Sequence, residues 1–138
     1  MIIADTGFWI ALAMPDDRFH ERACRQLADL KERLIVTWPV ITETCHLLGK
    51  RVSRHAQQLF LQHLATGVLD IFDLRDIHLP RVIELMQRYA NLPMDLADAS
   101  LVVLAEHPGD GRILSTDMRD FGTYRWKNTA PFRNLLAD

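Results

Sequence analysis

Short apolar, β-rich runs alternate with longer helical stretches along this chain, and that alternation leaves few ways to fold. Strands separated by helices do not pair as hairpins. Each returns to the sheet through a crossover, so the strands run parallel and helices cover both faces. The expectation is a three-layer α/β/α sandwich. The strand-like runs are Ile2–Ala4, Leu34–Thr37, residues 69–74 and residues 112–115. A last edge strand is predicted at 129–132, although Pro131 lacks the N–H that an inner strand needs. Helices are predicted at Thr6–Ala13, 20–31, 39–48, from Ser53 to Gly67, 77–89, 95–106 and, for one turn, 118–121. Pro39 suits the first turn of the third helix, with Gly49 as its C-terminal cap, and Ser53 suits an N-cap.

Four acids stand where these apolar segments do not call for one. Asp5 follows the first strand, and Asp117 ends the run Ile113-Leu114-Ser115-Thr116-Asp117. Glu43 and Asp98 interrupt helices in Val40-Ile41-Thr42-Glu43 and Leu96-Ala97-Asp98-Ala99. Carboxylates past the carboxyl ends of parallel strands gather at one edge of the sheet, where such sheets bind ligands. Gathered carboxylates repel, and cations between them offset the repulsion. Hard oxygen ligands point to Mg²⁺ or Mn²⁺, and hence to phosphate chemistry.

Each acid also has a structural reading. Asp5 suits the N-cap of the helix that follows, Asp117 can cap 118–121, and Asp95 and Asp98 fit an acidic capping box. Glu43 shares a stripe with Val40 and Leu47, where an unpaired carboxylate needs a cation or an arginine to offset its burial. Asp98 continues the face of Leu101, Val102 and Ala105. It is therefore expected to be half-buried, aimed at the sheet edge and a ligand, with Asp95 as the cap or as a group that supports Asp98. Asp117 is favoured as the direct ligand, with Asp120 expected to stand behind it or to reach a cation through water.

A chain of 138 residues suffices for one domain with one core, so a single domain over 1–138 is expected. Its net charge of −2 lacks the basic excess of a protein that binds nucleic acid by charge alone. No apolar stretch is long enough to span a bilayer, and no basic region precedes the first strand. The expected location is the cytoplasm, without a membrane. Cys24 and Cys45 are isolated, which fits small buried hydrophobes in a reducing compartment. The six histidines show no ligand spacing, and His46 reads as packing at the core edge.

In their order and spacing, Ile3-Ala4-Asp5-Thr6, Glu43, Asp98-Ala99-Ser100-Leu101 and Leu114-Ser115-Thr116-Asp117 resemble the PIN domain family. The length and the run Asp117-Met118-Arg119-Asp120-Phe121 are similar to its VapC-type toxins. The resemblance implies a five-stranded, mostly parallel sheet in the order 3-2-1-4-5 and a metal-dependent endoribonuclease. Asp5, Glu43, Asp98 and Asp117 would form the acidic quartet that binds Mg²⁺ or Mn²⁺, supported by the Thr6 and Thr116 hydroxyls. It further implies a homodimer and a small antitoxin partner.

An RNA substrate needs cations and aromatic rings near the acids. Candidates are Arg18, Lys50, Arg51, Arg119, Arg125 and Lys127, each with a solvated surface position as its alternative reading. Trp126, flanked by Arg125 and Lys127, is the stacking candidate, whereas Trp9 and Trp38 read as core or dimer-interface residues. Two other functions stay open, a nuclease acting on DNA and a non-catalytic module that binds protein or RNA. An aspartyl phosphatase is disfavoured, because Asp5-Thr6-Gly7 lacks the second acid of a DxD motif.

Overall fold

A computed structural model of the chain describes residues 1–137. The strands β1 (Ile2–Ala4), β2 (Leu34–Thr37), β3 (Asp70–Phe72) and β4 (Arg112–Leu114) pair in parallel. After two short strands, β5 (Arg125–Trp126) and β6 (Ala130–Pro131), the chain adds β7 (Arg133–Asn134) beside β4. The sheet order is β3-β2-β1-β4-β7, the order implied by the family resemblance. The register places Ile3 against both Ile35 and Ile113, so the central strand is apolar on both sides.

Alternation along these strands builds two cores, because successive side chains point to opposite faces. Ile3, Ile35 and Ile113 join helices α5 (Leu79–Arg88) and α6 (Leu96–Glu106) on one face. Ile2, Ala4, Leu34, Val36 and Leu114 join α1 (Thr6–Ala13), α3 (Trp38–Arg51) and α4 (Arg54–Ala65) on the other. Helix α2 (His20–Asp29) contributes Ala23 to this second core, and α7 (Met118–Thr123) contributes Phe121 to the first. Helix α6 is apolar all round and correspondingly buried from Ala99 to Ala105. Its one buried hydroxyl, on Ser100, donates to the Ala97 carbonyl at 2.6 Å and lies 2.7 Å from the Thr37 hydroxyl.

Several predicted boundaries shift for identifiable reasons. The edge strand is Arg133–Asn134 rather than 129–132. Residues Ala130–Pro131 instead pair antiparallel with Arg125–Trp126 across a turn at Lys127 and Asn128, both with positive φ. Helix α3 runs through Gly49 to Arg51, so Gly49 is not its cap. The glycine makes room for α4: a Cβ there would stand 2.9 Å from Gln57 Nε2, which donates to the Cys45 carbonyl. Helix α2 stops at Asp29 because Leu30 is extended, and a 3₁₀ turn at Asp76–His78 leads into α5. Cys24 is exposed and Cys45 half-buried, against the expectation of buried thiols; both are free. Among the described residues no helix is long and apolar enough to cross a membrane.

Candidate acidic active site

The carboxyl edge of the sheet opens into a pocket of about 400 Å³. Asp5, Glu43, Asp98 and Asp117 all line it, together with Asp95, Asp120, Thr6 and Thr116. Asp5 and Asp117 arrive from the ends of β1 and β4, and Glu43 and Asp98 from α3 and α6. Seven acids in all, Asp17 included, face one arginine, Arg51.

The structural and chemical readings of these acids prove compatible. Asp5 caps α1, accepting from Thr6 N at 2.7 Å through one oxygen. Its other oxygen accepts from Ser115 Oγ at 2.9 Å. That same Oγ accepts from Asp117 N at 3.0 Å, so Ser115 ties the ends of β1 and β4 together. Asp95 and Asp98 form the expected capping box at the start of α6, and the Tyr124 hydroxyl donates to Asp98 at 3.0 Å. Asp117 caps α7 by accepting from Asp120 N at 2.9 Å. Among the described residues Glu43 has no hydrogen-bond partner, and no three acids are already drawn together as the ligands of one ion.

Burial and mutual repulsion both disfavour the charged forms of these acids. Burial pushes the Asp5 carboxyl up to about 6; its Ser115 and Thr6 hydrogen bonds oppose that, and the Glu43 and Asp117 charges add to it. Asp98 is pushed up to about 7, first by burial and then by the Asp95 and Asp5 charges, against the Tyr124 and Asp95 hydrogen bonds. Asp117 is raised as well, chiefly by burial. For groups raised in the folded state, the stabilisation is complete below the unfolded carboxylate range. It is lost as pH rises through the folded values of about 6 and 7. Thermal melts in EDTA should therefore show Tm falling between pH 5 and pH 8. A flat or rising profile would mean that these carboxyls do not hold their protons.

The donor set suits a hard divalent cation. Carboxylate oxygens dominate the wall, and the buried Thr6 Oγ1 on the same wall has no hydrogen-bond partner among the described residues. Neutralising charge is what this pocket lacks.

Some of the predicted residues do not converge on the site. Trp126 packs against Gly111, just before β4, and Lys127 N donates to Glu106 at the end of α6. Both therefore lie at the amino edge of the sheet, opposite the acids. The guanidinium of Arg125 is spent on the carbonyls of Gly122, Thr123 and Tyr124 at the end of α7. Arg119 pairs with Asp120 at the rim, and Arg18 stacks on Phe19 beside Asp17. Lys50 is exposed next to Arg51. Glu43 is half-buried, because the core stripe of α3 is Val40, Ile41, Thr44 and Leu48, and Glu43 shares the pocket wall with Leu47. His46 is exposed rather than at the core edge. Thr116 does not bond the acids; its Oγ1 presses on Gly7.

Four residues escaped the sequence reading: Ser115, Tyr124, Asp17 and Gly7. Ser115 carried a signal, since it sits two before Asp117 at the end of a buried strand. Tyr124 and Asp17 carried none: Tyr124 meets Asp98 through the packing of one helical layer, and Asp17 reaches the pocket wall from a loop.

A parallel sheet in this order, with acids from β1, α3, α6 and β4 around one pocket, has the architecture of a PIN domain. The model of the PIN domain family matches residues 2–126, and the chain belongs to that family. Among curated proteins it is similar to Ribonuclease VapC26 of Mycobacterium tuberculosis, with 25% identity over 124 residues. That match covers 90% of this chain and 92% of the relative. Among solved structures it resembles Mycobacterium tuberculosis VapC20, described as a sarcin-ricin loop cleaving toxin, with a TM-score of 0.80. The match covers 86% of this chain and 92% of that one at 21% identity, a likeness of fold.

Proposed function

We propose that this protein is a divalent-metal-dependent endoribonuclease, the toxin of a toxin–antitoxin pair. The observation that carries the reading is a PIN domain whose pocket gathers seven acids against one arginine. A fold with no use for cations would have no reason to hold so many repelling charges together. The similarity to Ribonuclease VapC26 supports RNA over DNA as substrate. The VapC resemblance also supports a small antitoxin partner, a homodimer and a cytoplasmic location.

Asp5, Glu43, Asp98 and Asp117 are the residues that would hold Mg²⁺ or Mn²⁺. The bound cation would neutralise the carboxylates, polarise the phosphate and lower the pKa of water. The chain's own groups do the orienting. Ser115 Oγ and Thr6 N fix both oxygens of Asp5, and the Tyr124 hydroxyl fixes Asp98. Among the described residues Arg51 is the one cation on the pocket wall, and no carboxylate pairs with it. Its guanidinium is thus free to hold a phosphate.

The test is cleavage of a labelled single-stranded RNA panel with Mg²⁺, with Mn²⁺ and with EDTA, beside Asp98→Asn. Cutting that needs metal and disappears in the variant is the expected result. Cutting in EDTA, or by the variant at the wild-type rate, would remove Asp98 and its cation from the chemistry. If no RNA is cut, Mn²⁺ calorimetry decides between a narrow substrate range and a binding module.

A further inference from the structure

Helix α3 carries two adjacent stripes with four-residue spacing. Glu43, Leu47 and Arg51 line the acidic pocket, and Trp38, Thr42 and His46 line a second groove of about 650 Å³. Leu74 and Leu96 form its opposite wall, and Glu43 and Asp95 border both cavities. Trp38 is 51% exposed, and among the described residues its ring pairs with no other aromatic and its indole N–H has no partner. The fold thus leaves a large aromatic face in water, next to the site.

Resting on the ribonuclease reading, we propose that this groove is a nucleobase subsite in which a base flanking the scissile phosphate stacks on Trp38. Its volume lies within the usual range for small-ligand sites, and its walls are mainly apolar, with Thr42 and His46 on one side and the Glu43 and Asp95 carboxylates on the border with the acidic pocket. Trp38 precedes Glu43 by five residues, about 7.5 Å of helix rise. That separation suits neighbouring nucleotides on an unstacked strand. An indole face accepts any base; His46 can address its edge, and the Thr42 hydroxyl, which donates to the Trp38 carbonyl at 3.1 Å, can accept from it. A flat protein partner fits less well. Unless it brought its own cation, it would bury Glu43 and Asp95 unpaired along with the apolar wall. A base reaches the ring while its phosphate stays in the neighbouring pocket.

The test is an abasic scan. Fluorescence anisotropy measures binding of labelled single-stranded RNA, intact or with one abasic nucleoside moved along it, to wild type, Trp38→Ala and Trp38→Phe. Wild type should lose affinity on the order of tenfold when one particular base is absent. Trp38→Ala should lose as much with intact RNA and nothing further on the abasic strand, while Trp38→Phe keeps most of the affinity. An abasic penalty that persists in Trp38→Ala overturns the subsite, as does wild-type binding that is indifferent to every base. Sedimentation of the same variants covers the alternative occupant: a Trp38→Ala change from dimer to monomer with RNA affinity intact would assign the groove to a second copy. Cleavage of the same strands reads the nuclease separately. Base-dependent binding without cutting would leave the subsite standing, and Mn²⁺ calorimetry would then decide the nuclease reading.

Discussion

Asp5→Asn is expected to lose cleavage by at least about 100-fold, the scale set by removing one charge-stabilising group, while the fold survives. Asp5 is 8% exposed and held by Thr6 N and Ser115 Oγ. An asparagine keeps the cap through Oδ1, and the Ser115 hydroxyl can turn to accept from its amide. What disappears is the charge at the centre of the pocket. Burial and the neighbouring Glu43 and Asp117 charges raise the Asp5 pKa to about 6, so ionising it destabilises the metal-free fold. In EDTA at pH 8 the variant should therefore melt above wild type. The gap should narrow as pH falls towards 5, where the native wild-type carboxyl carries its proton, and close below the unfolded carboxylate range. Activity, together with melts at both pH values, checks this. An unfolded variant would make Asp5 structural, and an active one would place it outside the site.

Gly7→Ala should damage stability and activity together. Gly7 lies in the first turn of α1, where an added Cβ would stand 1.9 Å from Thr116 Oγ1 and 3.1 Å from Thr116 Cβ. Thr116 sits between Ser115, which holds Asp5, and Asp117, which caps α7. Relieving the clash means rotating Thr116 or pushing the β4–α7 loop outward, and overpacking of this kind costs about 1–3 kcal/mol. Tm should drop by several degrees, and cleavage should fall because the loop carries Asp117. Adding Thr116→Ala removes the closest atom and should recover part of both losses, a non-additivity that marks direct contact. A Gly7→Ala protein with unchanged Tm and rate would show that the loop moves at no cost.

Much of this was legible in the chain. Ile2–Ala4 and Leu34–Thr37 read as strands because continuous apolar runs of that length suit a sheet buried on both faces. The caps at Asp5, Ser53, Asp95 and Asp117 were legible because capping is local. For the same reason the fifth strand was misplaced: Pro131 warned of the trouble, but the hairpin that takes it up depends on the turn at Lys127 and Asn128. Trp126 failed for a different reason. Its basic neighbours suggested a nucleic-acid contact, yet the chain has by then turned back to the amino edge of the sheet. The alternation of strand and helix, and with it the acids at the carboxyl ends of parallel strands, follows from local sequence, because periodicity and capping act over a few residues. Which donors hold those acids, and which aromatic stands beside them, emerges only when the layers come together. Ser115 meets Asp5 across 110 residues and Tyr124 meets Asp98 across 26, contacts set by how the layers pack.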